Sequence, residues 1–290
     1  MIPARPRIDT APARALIATA LAPSVDRLQD CRDAAGSGVR VEEIHQARVA
    51  TRRLRSNLKN LRTVMSESDD GNDVRSELAW IGGLLGAVRD ADVLRGVLDR
   101  STEGAPEELT SGTASVFSAL DGERDRALAV LTAAVESQRF NALLERLRVL
   151  VVDPPVGDDL DLAPFAVMEP AWRALQRAVE ALERDPADPA LHDVRILTKQ
   201  VRYAAEMFIP TAGEGAQRFA RRAARVQDAL GVHQDAVVAV AWLLARSRTD
   251  PDVALAVGWL AGRSAAVRDS SRDVWRAPWA SLARPKARFW

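Results

Sequence analysis

The residues best placed for chemistry are His45, Arg48, Arg52, Arg55, Lys59 and Arg62, spaced three, four, three, four and three apart. On an α-helix this spacing sets all six on one face, in a stripe about 25 Å long at roughly 1.5 Å rise per residue. A neighbouring face carries Ala47, Leu54, Leu58, Leu61 and Met65, which reads as the core seam. Like charges at i and i+4 cost about 0.2–0.5 kcal/mol per pair, and no acidic residue interrupts the stripe to offset them. Two explanations fit: a standing anionic partner, or neutralisation by carboxylates on other helices. Arginine's planar fork of donors suits phosphate and carboxylate alike.

The pattern returns downstream as His192, Arg195, Lys199 and Arg202, each 147 residues after its counterpart, before turning to Glu206 and Ile209. The apolar side of this second copy is Val194, Leu197, Val201, Ala205 and Phe208. A further echo pairs Leu85-Gly86 and Asp90-Ala91 with Leu230-Gly231 and Asp235-Ala236. Ordered matches at nearly constant displacement imply an internal duplication of a four-helix unit. Histidine heads both stripes. Metal ligation is disfavoured by the adjacent guanidiniums and by the lack of a carboxylate on that face, so each His reads as a hydrogen-bond donor to phosphate oxygens that takes up a proton on binding. His233 breaks the symmetry, because the first half has Val88-Arg89 where the second has His233-Gln234.

The elements that must hold these stripes are helical. Segments rich in Ala, Leu, Arg and Glu alternate with breaks at Gly36 to Gly38, Ser66 to Asn72, Ser101 to Pro106, Asp153 to Pro164, Asp185 to Pro189, Pro210 to Gly215 and Thr249 to Asp252. They leave helices over approximately 11–34, 41–65, 73–100, 107–150, 165–184, 190–209, 214–248 and 252–276, the fourth breaking near Gly122, with an irregular tail from Pro278 to Trp290. The 290 residues are 47% hydrophobic and 28% charged, with 40 Lys and Arg against 40 Asp and Glu, so electrostatic function must come from arrangement rather than net charge. Arginine excess also follows from a high-GC genome. A single cysteine, Cys31, rules out a disulfide framework and fits a reducing, cytoplasmic compartment. No apolar run reads as long enough to span a membrane. Ala15 to Ala22, preceded by Arg5, Arg7 and Arg14, reads as the start of an amphipathic helix rather than a secretory signal.

The runs His45-x-x-Arg48-Val49-x-x-Arg52-Arg53-x-Arg55 and His192-x-x-Arg195-Ile196-x-x-Lys199-x-x-Arg202-Tyr203 resemble the duplicated signature of the CHAD domain, a histidine-bearing α-helical family. Leu85-Gly86 to Arg89-Asp90, Ser137 to Phe140 with Leu143-Leu144, Gly258-Trp259-Leu260 and Phe289-Trp290 extend the similarity from about Pro12 to the end. The resemblance implies an all-α fold of two four-helix bundles related by a pseudo-twofold axis, residues 1–155 and 156–290, together forming one CHAD domain. It implies non-catalytic binding of inorganic polyphosphate in a basic cleft between them, association with a triphosphate-tunnel enzyme or with polyphosphate-granule proteins, and no cofactor or metal. The implied binding set is His45, Arg48, Arg52, Arg55, His192, Arg195, Lys199 and Arg202. Lys59 and Arg62 extend it by stripe geometry, and Arg89 and Arg225 join from neighbouring helices. The residues leave two other readings. A metal-dependent phosphohydrolase needs a carboxylate cluster, and Asp69, Asp70 and Asp73 read as a solvated helix start. A nucleic-acid binder would add stacking aromatics, of which only Tyr203 lies near the stripes.

Overall fold

The structure is a computed structural model that describes residues 11–35, 40–63, 65, 69–156, 164–247 and 253–290. The protein is all-α. Its helices are α1 (Ala11–Ala34), α2 (Val41–Asn60), α3 (Asp69–Ser101), α4 (Thr110–Val135), α5 (Gln138–Val152), α6 (Pro164–Glu180), α7 (Asp188–Met207), α8 (Ile209–Ser247), α9 (Ala254–Ser271) and α10 (Arg276–Leu282). Among the described residues the only extended pairing is an isolated antiparallel bridge between Met65 and Val156.

Helix faces follow the apolar rhythm. In α2, Ile44, Ala47, Thr51, Leu54 and Leu58 are buried, and in α7, Leu191, Val194, Thr198, Val201 and Ala205. These are the same five positions, 147 residues apart. The helices also coincide in extent, since both Asp188 and Met207 lie 147 residues beyond Val41 and Asn60. Thr51 and Thr198 are fully buried and fulfil their hydroxyls identically, donating to the carbonyls of Ala47 and Val194 at 2.8 and 2.7 Å. A buried hydroxyl needs such a partner.

One apolar core runs from α1 through α8 to α10 without a division at residue 155. α2 and α7 touch each other within it, α3 flanks α2, and α8 flanks α7. α3 and α8 then continue past this core. Their distal ends carry Leu94, Val97 and Leu98 and Ala239 and Leu243, which join Val116 and Leu120 of α4 and Val257 and Leu260 of α9 in a second core.

Several sequence expectations change. The break in the fourth span falls at Glu136 and Ser137, not at Gly122. Ser137 caps α5, its hydroxyl accepting from the Phe140 backbone N–H at 3.2 Å, whereas Gly122 sits inside α4. α3 starts at Asp69, earlier than expected, and the Pro210 to Gly215 break is a kink within α8, where Gly213 takes φ 59°. α8 is also long and apolar enough to cross a membrane by length and composition alone, which the sequence reading missed; it packs against α7, α9 and α10. The breaks at Gly36 to Gly38 and Thr249 to Asp252, together with Arg5 and Arg7, lie outside the described residues.

The tail is not irregular. α10 and a 3-10 turn at Pro285–Ala287 return it to the core. Trp279 stacks on buried Trp172 with ring centroids 5.6 Å apart, and Trp290 meets Phe219 edge-on at 4.9 Å. The Trp290 indole N–H donates to Glu169 at 3.1 Å. Trp290→Ala should therefore cost about 3 kcal/mol of stability, the scale of removing a packed aromatic. Urea denaturation followed by circular dichroism measures this, and a loss below about 0.5 kcal/mol, the range of ordinary surface changes, would show that the tail merely rests on the core.

Candidate anion-binding site

The stripes of α2 and α7 meet where the two helices pack. Arg48, Arg52, Arg195 and Lys199 lie close enough that each cation disfavours its neighbours' charge: Arg52, Arg48 and Arg195 all act on Lys199, and Arg52 acts on both Arg48 and Arg195. Burial lowers the Lys199 ammonium most, and with these arginines brings it from 10.5 to about 7. Arg55 also acts on Arg48. Among the described residues none of Arg48, Arg52, Arg55, Arg195 and Lys199 makes an ion pair within 4.0 Å. Asp90 and Asp235 stand nearby as the offsetting charges on Arg48 and Arg195, without pairing. Asp235 is itself half-buried, and this desolvation raises its carboxyl against the pull of Arg195 and Lys199.

The echo of Leu-Gly and Asp-Ala between the halves now has a physical reading. Arg48 lies flat across α3 and donates to the Gly82 carbonyl. A Cβ on Gly86 would come within 2.9 Å of the Arg48 guanidinium carbon. Gly231 is less tightly approached: a Cβ there would sit 3.7 Å from Nε and Nη2 of Arg195, an ordinary contact. Gly86 thus clears room for Arg48, and in each half the aspartate four residues on supplies a distant counter-charge to the stripe arginine.

Other contacts across α2 and α7 pair by the same displacement. Arg53 bonds Glu206 at 2.6 Å. Residue 200 lies 147 beyond 53, and 59 lies 147 before 206; correspondingly, Lys59 donates to Gln200 at 3.2 Å. One contact is the image of the other under exchange of the halves. Glu206 also accepts from Arg202 at 2.8 Å, and the guanidiniums of Arg53 and Arg202 each stand 5.4 Å from the centre of the Tyr203 ring.

The histidines divide into two kinds. Nδ1 of both His45 and His192 is buried without a hydrogen-bond partner, as is Nε of Arg52, Arg53 and Arg195. Unmade bonds of this kind cost roughly 1–3 kcal/mol each, and each stripe carries such an imidazole nitrogen and such a guanidinium Nε. Burial and Arg89 lower the His45 imidazolium below its ordinary value. His233 is structural: its Nδ1 lies 3.0 Å from the Arg268 carbonyl and its Nε2 3.1 Å from Asp188, which also accepts from Arg272 at 2.8 Å. It pins the start of α7 to α8 and α9.

The structure thus brings together Arg48, Arg52, Arg55, Arg195 and Lys199, with His45 joined through Arg52 and Arg89. His192 lies one turn before Arg195 on the same helix. Arg202 belongs to the Glu206 network, and Lys59 is exposed at the crossing. Arg62 and Arg225 are exposed, and no described contact ties them to the cluster. Sequence spacing missed Arg53, which lies off the stripe; only its place beside Arg52 hinted at it. Among the described residues no group of three or more His, Cys, Asp or Glu side chains is arranged to hold a metal.

The CHAD domain profile matches residues 19–244. The chain belongs to the CHAD domain family. Its fold superposes on PptA from Streptomyces chartreusis with a TM-score of 0.74 at 25% identity, covering 92% of this chain and 99% of that one. It superposes on the CHAD domain of the plant Ricinus communis with a TM-score of 0.75 at 26% identity, covering 93% and 91%. Uncharacterised proteins from two strains of Mycobacterium tuberculosis are each 30% identical over 216 residues, or 71% of this chain. The chain spans 40% of the length of those relatives.

Two outcomes test this CHAD site. Gly86→Ala should fold at least as stably as the parent, since Ala favours a helix over Gly by about 1 kcal/mol; it should displace Arg48 and weaken binding of phosphate-bearing anions. Thermal melts beside binding isotherms check it, and an unstable variant would make Gly86 a packing residue instead. Lys199→Met should stabilise the ligand-free protein near pH 7. The folded state there binds fewer protons than the unfolded one, so the Lys199 contribution improves as pH rises from about 7 toward 10.5. Melting temperatures of the two proteins should therefore converge as pH rises through that window.

Proposed function

We propose that this CHAD protein is a non-catalytic module that binds inorganic polyphosphate, or a similar linear polyanion, in the basic cleft at the crossing of α2 and α7. One observation carries the reading: Arg48, Arg52, Arg195 and Lys199 are crowded together and half-buried with no carboxylate in contact. Holding four like charges there costs folding energy, and a polyanion returns it by neutralising all of them at once. Neutralisation by carboxylates, the competing explanation for the stripes, does hold for Arg202, through Glu206 on its own helix, but not for the central four. The repeated helix spans, buried threonines and mirrored contacts support an internal duplication as the origin of the two half-sites. We further propose a cytoplasmic location at polyphosphate granules, with granule proteins or a triphosphate-tunnel enzyme as partners.

Affinity for long-chain polyphosphate should fall steeply between about 50 and 200 mM salt, by counterion release as for nucleic acids, and should exceed that for single-stranded DNA and heparin. Reversing Arg52 and Arg195 together to Glu should nearly abolish binding. A folded double variant that binds normally would make the stripes structural. With magnesium or manganese present, no phosphate should be released from polyphosphate; turnover lost on changing His45 would establish a phosphohydrolase instead.

Binding should also take up protons. A bound polyanion favours the charged form of Lys199, which has only half its charge near pH 7, so affinity should fall as pH rises through 7. His45, lowered below its ordinary value, should add uptake at more acidic pH. Calorimetry in two buffers of different ionisation enthalpy counts these protons, and Lys199→Met should remove the uptake seen above pH 7. Uptake unchanged in that variant would locate the titrating group elsewhere.

A further inference from the structure

The two ends of the cleft are not alike. At the α2 end the stripe continues through Arg55 and Lys59 to Arg62, all exposed. At the α7 end the equivalent positions are Arg202, Glu206 and Ile209. Glu206 holds Arg53 and Arg202 together, at 2.6 and 2.8 Å, with Tyr203 beside both guanidiniums. Its side chain is 23% exposed, so the pair of bonds is partly shielded from water. The image of this network at the other end is a single hydrogen bond from Lys59 to neutral Gln200, which leaves the ammonium's charge uncompensated. Helix ends sharpen the difference. The C-terminus of a helix carries partial negative charge. Lys59 and Arg62 offset it at the end of α2, whereas Glu206 adds to it at the end of α7.

We infer that Glu206 is a specificity-determining residue that closes one mouth of the cleft, so that a linear polyanion longer than the central cluster leaves only over Arg55, Lys59 and Arg62. The inference rests on the proposed polyanion reading and deepens it. A short phosphate oligomer fills the central cations and meets neither mouth. A long chain gains contacts along the α2 side and is repelled on the α7 side by a carboxylate that also occupies two arginines.

The test uses tripolyphosphate and long-chain polyphosphate as probes on the full chain, by calorimetry at several salt concentrations. Glu206→Gln keeps the size of the side chain and an acceptor for Arg53 and Arg202, and circular dichroism with a thermal melt establishes its fold. Roughly tenfold tighter binding of long-chain polyphosphate is expected as the two arginines become available, with the salt slope steeper by about 1 to 2 and tripolyphosphate affinity unchanged. Lys59→Glu, which gives the open mouth the residue of the closed one, should bring the long-chain affinity down toward that of tripolyphosphate. The inference is overturned if Glu206→Gln leaves long-chain binding unchanged, or tightens both probes equally, because Glu206 would then act on the central cluster rather than at a mouth. A wild-type protein that binds neither probe would instead sink the polyanion reading, and this inference with it.

Discussion

Like-charge crowding at the crossing of α2 and α7 is the constraint on which the rest of the molecule turns. Two cationic stripes that could each point to water converge with a largely apolar face behind each of them. Surface arginines lose little by standing apart, so convergence has to be imposed. It is imposed by the continuous core from α1 to α10, whose apolar burial far exceeds the repulsion at the crossing. The Lys199 ammonium shows the cost: burial first, and then the neighbouring arginines, push it down to about 7.

Crowding alone would let long side chains splay. The flanking helices prevent it. α3 presents Gly86 where Arg48 must lie, and α3 and α8 present carboxylates far enough along to attract without capturing. Direct pairing would satisfy the arginines and leave nothing for a ligand. The Glu206 network shows what pairing does: Arg53 and Arg202 are fixed and compensated. The same helix pair therefore contains both a spent set of cations and an available one, and the difference is the distance to a carboxylate.

Much of this was legible in the sequence because helical spacing is local. The three-four rhythm of His45 to Lys59 sets a face whatever surrounds it, and the 147-residue displacement predicted that Arg48 and Arg195 would have equivalent settings. The Leu-Gly and Asp-Ala echoes were visible too, but their purpose was not, since a glycine that makes room for an arginine on another helix leaves no periodic trace. Arg53 and Glu206 were opaque for the same reason: their bond joins residues 153 apart. The tail was misread because aromatic residues after short breaks look irregular until Trp172 and Phe219 are there to receive them. Gly122 drew the fourth break because glycine is a helix breaker on average, whereas Ser137 supplies a cap.

The mirrored contacts between α2 and α7 also bear on how the protein is made. The two helices leave the ribosome 147 residues apart, a delay of about 7 to 30 s at the usual rates of synthesis. Throughout that interval the first row of cations has no second wall to meet. Only when α7 docks does the crowding at the crossing arise. A nascent chain thus carries one row of cations first, and the crowded pair arises only once the fold that holds it is nearly complete.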